Sequence, residues 1–356
     1  MGCMMASARC RGLLLACLLS ACLLLAPFAA EAQQVKLRLT TQLPSSHYAG
    51  VNLAQFKDEV ERRSEKTLTI EIFGDGRLYK DNEALGAVSS GSIEMAFVVN
   101  DLVAEKIPAV SILQQPFLFN FEALVRNALS PGQDIRRLLD RAILESTGSR
   151  VLWWLPFGST TILSKGQPAV SPAGIGKQKI RAIGPTHAAF AERCGGIPVI
   201  LNAGDMLSAM QDGRVNMIMT GIVTVPGRHL WKVADTIIRT DHAAIETMVL
   251  INEAVWQRLS EGHKTIITES ARKVEQELRD EIARLEEDGY RFAREHGMKV
   301  YDLAPHHVAE WRACSAPVVD AFMMDGGELA LQLMRAYGKL RTAPCCSAGP
   351  AGASGR

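Results

Sequence analysis

Short apolar runs alternate with segments of helical spacing in the central part of the chain, residues 176–221. Three runs have the length and composition of buried strands: 180–183, 198–201 and 215–219. Between them, residues 186–194 and 206–211 are spaced as helices, and Gly195 and Gly213 follow as helix-ending glycines. This order predicts a parallel α/β unit, which binds ligands at the carboxyl ends of its strands.

Strands and helices are also predicted on both sides of this unit. Strand patterns occupy 35–41, 67–73, 95–99, 233–240, 247–251 and 300–303. Helical spacing falls within 49–63, 78–90, 121–127, 134–146, 261–295 and 305–341. Segment 261–295 is one long amphipathic helix, and its charged stretch 275–288 is expected to be a solvated face with ion pairs four residues apart.

The first 32 residues have the features of a secretory signal. Arg9 and Arg11 precede an apolar core at 12–28 that is too short and too poorly flanked to predict a membrane span. An A-x-A cleavage site ends at Ala32. The alternative is a lipoprotein site with an anchor on Cys22, which fits less well because apolar residues continue beyond it. We therefore predict export, with cleavage after Ala32.

The part of the chain after the signal is large and nearly neutral. It keeps 324 of the 356 residues, which exceeds one compact core and predicts two lobes. The signal takes two of the 39 basic and one of the 38 acidic residues, so 37 of each remain. That balance gives no reason to expect nucleic acid or a membrane surface as a partner. No second long apolar run occurs, which excludes the permease itself.

The cysteines give no sign of a metal site. Four lie outside the signal: Cys194, Cys314, Cys345 and Cys346. They contain no C-x-x-C pair, and the H-H-x-x-E sequence at 306–310 lacks a third ligand nearby. No metal or cofactor is predicted. In an oxidising compartment some of these cysteines can form disulfides, but the sequence leaves their pairing open.

Arg181 lies inside an otherwise apolar predicted strand. Burial of a guanidinium costs free energy unless an anion compensates for it. The side chain therefore pairs with a structural carboxylate, or it faces a cleft where a ligand supplies the anion. The strand pattern alone leaves both readings open.

Several sequence phrases resemble TRAP-transporter substrate-binding proteins, the DctP family. They are Lys-Ile-Arg at 179–181, Gly-Gly-Ile-Pro-Val at 195–199, Ala-Met-Gln-x-Gly at 209–213, Val-Asn-Met at 215–217, G-S-I-E-M-A at 91–96 and Pro-Phe-Leu-Phe at 116–119. The resemblance covers most of the mature chain. It implies a two-lobed, periplasmic-binding-protein-like α/β fold, in which each lobe is a mixed sheet flanked by helices and a long helix runs along both lobes.

The resemblance also implies a function and a location. It implies an extracytoplasmic solute receptor in the periplasm that feeds TRAP membrane permease subunits and is not an enzyme. In this family the arginine of the matching strand holds the substrate carboxylate by two parallel hydrogen bonds. That pattern assigns the role to Arg181 and makes a small organic acid the expected ligand, with hinge closure as the expected motion.

The predicted lobes divide the chain as follows. Residues 33–155 form the first part of lobe 1, and residues 156–241 form lobe 2. Residues 242–342 return to and span both lobes. Residues 343–356 are rich in Pro, Gly, Ala and Ser, which predicts a disordered tail.

Several polar residues are expected near the cleft. The family places the loop after the first strand at its mouth, so Gln42 and His47 are candidate ligand neighbours; His47 is otherwise a helix cap or a solvent-facing residue. Asn100 follows the strand 95–99 and is a cleft residue or a turn residue. His242 resembles a histidine common at this point in the family, with a buried structural role as the alternative.

Residues 150–164, which are expected to cross from the first lobe to the second, supply further candidate ligand contacts. The chain also departs from the family at two positions. Trp154 and Phe157 either stack on an organic substrate or fill the interlobe core. Many members carry a second arginine after the glycine matching Gly158, where this chain has Ser159. Thr220 stands where the family often has asparagine. The missing arginine weakens the case for a small dicarboxylate, and the threonine predicts a ligand that differs from those of the best-known members. Ser159 and Thr220 are left as possible ligand contacts.

Two other functions remain to be weighed. An exported hydrolase needs an activated nucleophile, yet the chain has no G-x-S-x-G and no H-E-x-x-H. An orphan receptor would keep the fold and bind a ligand that is not an acid.

Overall fold

The computed structural model describes residues 34–343. Its strands are β1 Val35–Thr40, β2 Leu68–Phe73, β3 Met95–Val99, β4 Ser149–Ser164, β5 Lys179–Ala182, β6 Ile197–Ile200, β7 Met217–Gly221, β8 Thr236–Arg239, β9 Ala244–Asn252 and β10 Lys299–Asp302. The predicted signal, Cys22, and nearly all of the predicted tail with Cys345 and Cys346 lie outside the described residues.

Helices surround these strands. They are α1 Tyr48–Arg63, α2 Asp81–Ser90, α3 Asn100–Val103, α4 Glu122–Leu129, α5 Asp134–Thr147, α6 Pro185–Arg193, α7 Met206–Gln211, α8 Thr224–Gly227, α9 Glu253–Arg258, α10 Glu261–Glu295, α11 Pro305–Asp325 and α12 Gly327–Arg341. The predicted helical segment 305–341 is thus two helices, which meet at Gly326. Helix α10 coincides with the long helix predicted from its apolar spacing.

The strands form one mixed sheet in the order β2-β1-β3-β9-β4-β7-β5-β6, while β8 pairs with β4 and β10 with β8. Strand β1 is parallel to β3, and β5 is parallel to both β6 and β7. Strand β9 is antiparallel to β3 and β4, and β4 is antiparallel to β7. We call β2, β1, β3, β9 and the first part of β4 the first half-sheet, and the remaining strands the second half-sheet. The exact lobe boundaries remain a prediction.

Strand β4 belongs to both half-sheets. Its first part pairs with β9 as far as Ser159, and from Thr160 onward it pairs with β7. A register shift falls between Pro156 and Ser159, where Gly158 has a φ of +80°. A Cβ at Gly158 would lie 2.5 Å from Glu286 Oε1, which accepts the Ser159 N–H at 2.7 Å. Glycine is therefore required at this irregularity.

Helix α10 is tied to the first half-sheet by a buried chain of hydrogen bonds. Asn52 of α1 donates its amide to the carbonyl of Val274 at 2.8 Å, and it accepts the indole N–H of Trp153 at 3.2 Å. Asn52, Trp153 and Val274 are all buried, so their polar groups must find hydrogen-bond partners inside the protein. These bonds fix α1, α10 and β4 against one another.

The prediction of a solvated face along 275–288 is wrong for part of that stretch. Glu275 and Arg279 are only 5% and 4% exposed. Arg279 Nη2 lies 2.8 Å from a carboxylate oxygen of Glu246 on β9, and Arg136 of α5 donates two hydrogen bonds to Glu275, at 2.7 and 3.0 Å. The charges are buried here because they reach partners on neighbouring elements, which helical periodicity cannot show.

One disulfide bond is present among the described residues. It joins Cys194, which follows α6, to Cys314 in α11, two residues 120 positions apart. The bond links the two helices beside the second half-sheet. It selects one of the pairings that the sequence left open.

Replacing Cys194 and Cys314 together with serine is expected to lower the free energy of unfolding by about 2–4 kcal/mol, because the bond restricts a long loop of the unfolded chain. Urea unfolding followed by circular dichroism measures the change. Replacing Cys345 and Cys346 with serine is the matched control, since it removes two sulfurs but keeps this bond. A free Cys194 thiol in the non-reduced protein, found by alkylation and mass spectrometry, would contradict the pairing.

Candidate functional site

One cavity is lined by residues from both half-sheets. Several of them lie at or just beyond the carboxyl ends of strands: Leu43 after β1, Val99 in β3, Ile183 after β5 and Thr220 in β7. The other lining residues are Gln42, His47, Asp81, Phe157, Arg181, Ala203, Met206, Thr224, Arg228, Ile245 and Thr247. About 450 Å³ of space not filled by atoms lies within the cavity, including space that is open to solvent. This location is where α/β proteins bind ligands.

Arg181 lies in the middle of β5 and is only 3% exposed. Its Nε donates to the carbonyl of Leu201 at 3.0 Å and its Nη1 to that of Met219 at 2.9 Å. Within residues 34–343 it forms no ion pair, so the structural carboxylate partner is not found there. Burial lowers its pKa to about 10, against the opposing attraction of Asp81. The guanidinium thus remains charged at neutral pH, oriented by two carbonyls.

Two further charged residues line the cavity, and sequence reasoning did not select either as a ligand contact. Arg228, just after α8, donates through Nη2 to the carbonyl of Gln42 at 2.6 Å. Asp81, at the start of α2, accepts the N–H of Ala203 at 2.8 Å. Burial raises the pKa of Asp81 and lowers that of Arg228, and the attraction between the two groups opposes both shifts. Asp81 falls within the predicted helical segment 78–90, and no sequence pattern pointed to Arg228.

His47 precedes α1 and lines the cavity at 3% exposure. Its Nδ1 accepts the N–H of Ala49 at 3.2 Å, which places the ring proton on Nε2. That Nε2 has no hydrogen-bond partner among the described residues. Burial, with a contribution from the positive Arg228, lowers the pKa of His47 to about 3. The residue is therefore both a helix cap and a neutral, unpaired donor at the cavity.

Phe157 and Thr220 complete the set of predicted residues that the structure brings together with Gln42, His47 and Arg181. The Phe157 ring stacks on the His47 ring with centroids 5.1 Å apart. The Thr220 hydroxyl donates to that of Thr224 at 3.2 Å. Five of the residues selected from the sequence thus line one cavity.

Asn100 and Trp154 lie outside this cavity, and the side-chain N–H groups of both are already bonded. The Asn100 amide donates to the carbonyl of Val110 at 3.0 Å and to the side chain of Gln114 at 2.6 Å. The indole N–H of Trp154 donates to Asp140 at 2.8 Å, and the ring packs among apolar residues of the first half-sheet. Neither side chain is directed to the cavity by these contacts.

Ser159 and His242 also lie outside the cavity. Ser159 is at the β4 irregularity, where its N–H donates to Glu286. His242 is buried, its ring stacks on Phe190 at 3.8 Å, and its Nδ1 lies 2.8 Å from the Thr240 hydroxyl. Burial lowers the pKa of His242 well below its ordinary value.

A chain of Asp101, His187 and Thr160 has the order of a catalytic triad. Asp101 lies 2.7 Å from His187 Nδ1, and His187 Nε2 lies 3.2 Å from the Thr160 hydroxyl. All three are at most 1% exposed, and the hydroxyl also donates to the carbonyl of Ala243. Asp101 further accepts the N–H of Thr186 at the start of α6. The chain is buried away from the cavity and gives no support to the hydrolase hypothesis.

Residues 34–343 contain no helix that is both long and apolar enough to cross a bilayer. Within the same residues, no three His, Cys, Asp or Glu side chains are grouped as metal ligands.

Comparison with known proteins identifies relatives of this fold. The family model for bacterial extracellular solute-binding protein, family 7 (DctP) matches residues 39–325. A solute-binding protein of Verminephrobacter eiseniae (strain EF01-2) is 25% identical over 311 residues, which are 86% of this chain and 90% of the relative.

Two crystal structures are similar, each with a TM-score of 0.81. One is DctP7, a Bordetella pertussis extracytoplasmic solute receptor binding pyroglutamic acid, with 21% identity, 85% of this chain and 99% of that chain covered. The other is the sugar acid binding protein DctPAm from Advenella mimigardefordensis in complex with galactonate, with 22% identity and coverages of 86% and 99%. The two-lobed α/β fold is confirmed, and the chain belongs to bacterial extracellular solute-binding protein family 7, the DctP family.

Proposed function

We propose that the protein is the extracytoplasmic solute receptor of a TRAP-type secondary transporter. It binds a small organic acid in the cavity between the two half-sheets and delivers it to a membrane permease. The observation that carries this proposal is Arg181, a buried and charged guanidinium at the cavity that forms no ion pair with any described residue.

A carboxylate fits the unused part of this guanidinium. Arginine has five N–H donors in a planar fork, and the carbonyls of Leu201 and Met219 occupy two of them. The others match the two oxygens of a carboxylate, and a charged group so deeply buried needs such a counterion. The similar receptors bind pyroglutamic acid and galactonate, which are both carboxylates.

Hydrogen bonds across the cavity support closure around the ligand. The carboxylate of Asp81 accepts the N–H of Ala203, and the Asn82 N–H donates to Asn202 at 3.4 Å. These bonds join the start of α2, beside the first half-sheet, to the loop after β6 in the second. Hinge opening would break them, so these bonds support a closed arrangement of the proposed receptor. The closed form is the one that the permease would recognise.

A thermal-shift screen tests the proposal. The mature protein, with cleavage after Ala32, is unfolded and refolded to remove any copurified ligand. It is then heated with monocarboxylates, dicarboxylates, sugar acids and the neutral amide of each acid. An acid at a hundred times its Kd is expected to add about 2.7 kcal/mol of stability, and its amide none. Stabilisation by neutral compounds alone would contradict the acid receptor and favour the orphan receptor.

A further inference from the structure

We infer that the ligand is a compact monocarboxylate with one hydrogen-bond donor, an O–H or N–H, and that Asp81 accepts this donor. The inference rests on the proposed function, because it assumes that Arg181 holds the carboxylate. It adds the second anchor point and so narrows the class of acid.

The charge of the cavity matches a single negative charge. Its titratable lining residues are Arg181, Arg228, Asp81 and His47. Two are cations, one is a carboxylate and His47 is neutral, so the lining carries one net positive charge. A monoanion neutralises it, whereas a dianion leaves one uncompensated negative charge in a buried site. The family arginine that would be the second cation is replaced by Ser159 in this chain. Arg228 supplies a second positive charge to the lining, and the negative charge of Asp81 cancels it.

Asp81 has acceptor capacity that the described residues do not use. The side chain is 6% exposed, and one carboxylate oxygen, Oδ2, accepts the N–H of Ala203. Neither Arg181 nor Arg228 forms an ion pair with it, and within residues 34–343 no other residue donates to Oδ1. A carboxylate oxygen has two lone pairs, so Asp81 can accept a further hydrogen bond from a ligand. Burial raises the pKa of Asp81, and a ligand donor would oppose that rise by stabilising the ionised carboxylate.

The remaining lining favours a small and partly apolar ligand. Apolar side chains make up much of the wall: Leu43, Val99, Phe157, Ile183, Met206 and Ile245. Two lining hydroxyls already donate to protein acceptors, Thr220 to Thr224 and Thr247 to the carbonyl of Leu155. Besides Arg181 and Asp81, a sugar acid would find the unpaired His47 Nε2–H, the Thr224 hydroxyl and the Gln42 amide as partners for its several hydroxyls, and each hydroxyl left over would cost free energy. A lactam acid or a short hydroxy acid needs only the Asp81 acceptor and the Arg181 fork.

The test compares matched acids by calorimetry on the refolded protein. Pyroglutamate is paired with cyclopentanecarboxylate and N-methylpyroglutamate, 2-hydroxyisovalerate with isovalerate, and succinate represents the dianions. Each is measured on the wild type, Asp81→Asn and Asp134→Asn. Asp134 is the first residue of α5, as Asp81 is of α2, but it is exposed and remote from the cavity lining. Asp134→Asn therefore shows how much of any change comes simply from removing a carboxylate at the start of a helix.

In the wild type and in Asp134→Asn, the donor-bearing member of at least one pair is expected to bind about a hundredfold tighter than its partner. In Asp81→Asn this ratio is expected to fall below about tenfold, because the amide presents a donor instead of an acceptor. Succinate is expected to bind about tenfold tighter to Asp81→Asn than to the wild type, since the lining charge rises by one. If Asp81→Asn does not fold, the affinity ratios measured on the wild type still test whether the ligand needs a hydrogen-bond donor.

Two negative results are distinguishable. If acids bind but matched pairs bind equally to the wild type, or Asp81→Asn leaves the ratio unchanged, the role of Asp81 is overturned and the acid receptor stands. If no acid in the panel binds the wild type, the proposed function fails together with this inference.

Discussion

Replacing Arg181 with alanine is expected to weaken binding of the cognate acid by about a hundredfold to a thousandfold, close to complete loss at working concentrations. The variant removes the charge and the planar fork, and it leaves the ligand carboxylate in a cavity where Arg228 already bonds the carbonyl of Gln42. Arg181→Lys keeps the charge but loses the two-pronged geometry, so its affinity is expected to lie between those of the alanine variant and the wild type. Calorimetry with the acid found in the screen measures all three.

The matched control for Arg181 is Arg214→Ala. Arg214 is partly exposed and is absent from the cavity lining, so its replacement is expected to leave the affinity unchanged. Unfolding curves accompany each measurement, because Arg181 also bonds the carbonyls of Leu201 and Met219. An alanine variant that folds and keeps its affinity would show that Arg181 is structural.

Replacing Arg279 with methionine is expected to lower the free energy of unfolding by about 3–5 kcal/mol. Methionine fills much of the same volume, so the main cost is the carboxylate of Glu246, which is 1% exposed and loses its bidentate partner. Adding Glu246→Leu is expected to restore most of the loss, because the buried charge is then gone as well. Urea unfolding of the single and double variants measures both effects.

Arg284→Met is the matched control on the same helix. Arg284 is 62% exposed and its ion pair with Asp288 is solvated, so the expected change is within about 0.5 kcal/mol. Equal unfolding midpoints for the Arg279 and Arg284 variants would mean that the Arg279–Glu246 pair contributes as little as a surface pair.

Sequence periodicity was sufficient where structure is local. The apolar positions of α10 repeat every three or four residues, and the five residues of β3 are all buried, so both elements could be located from their own patterns. Arg181 was conspicuous for the same reason, as a charge within an apolar strand. The resemblance to the family then supplied the ligand class that no pattern contains.

The unpredicted part of the site depends on tertiary contacts. Asp81 and Arg228 are far apart in the chain, and each lies beside a helix end where charged residues are ordinary. Only the folded chain brings them to one cavity with Arg181. The burial of Glu275 and Arg279 has the same origin, because helical spacing shows which residues share a face but not what that face contacts.

The place of β9 in the sheet determines when the first half-sheet is completed during synthesis. Strands β3 and β4 are not neighbours; β9 lies between them and pairs with both. Until residue 252 has emerged, the chain carries two strand edges that have no native partner. Such edges associate readily with other unfolded chains, and their distant partner makes folding slow. We therefore expect a chain truncated before β9 to associate with its copies more readily than the full chain does.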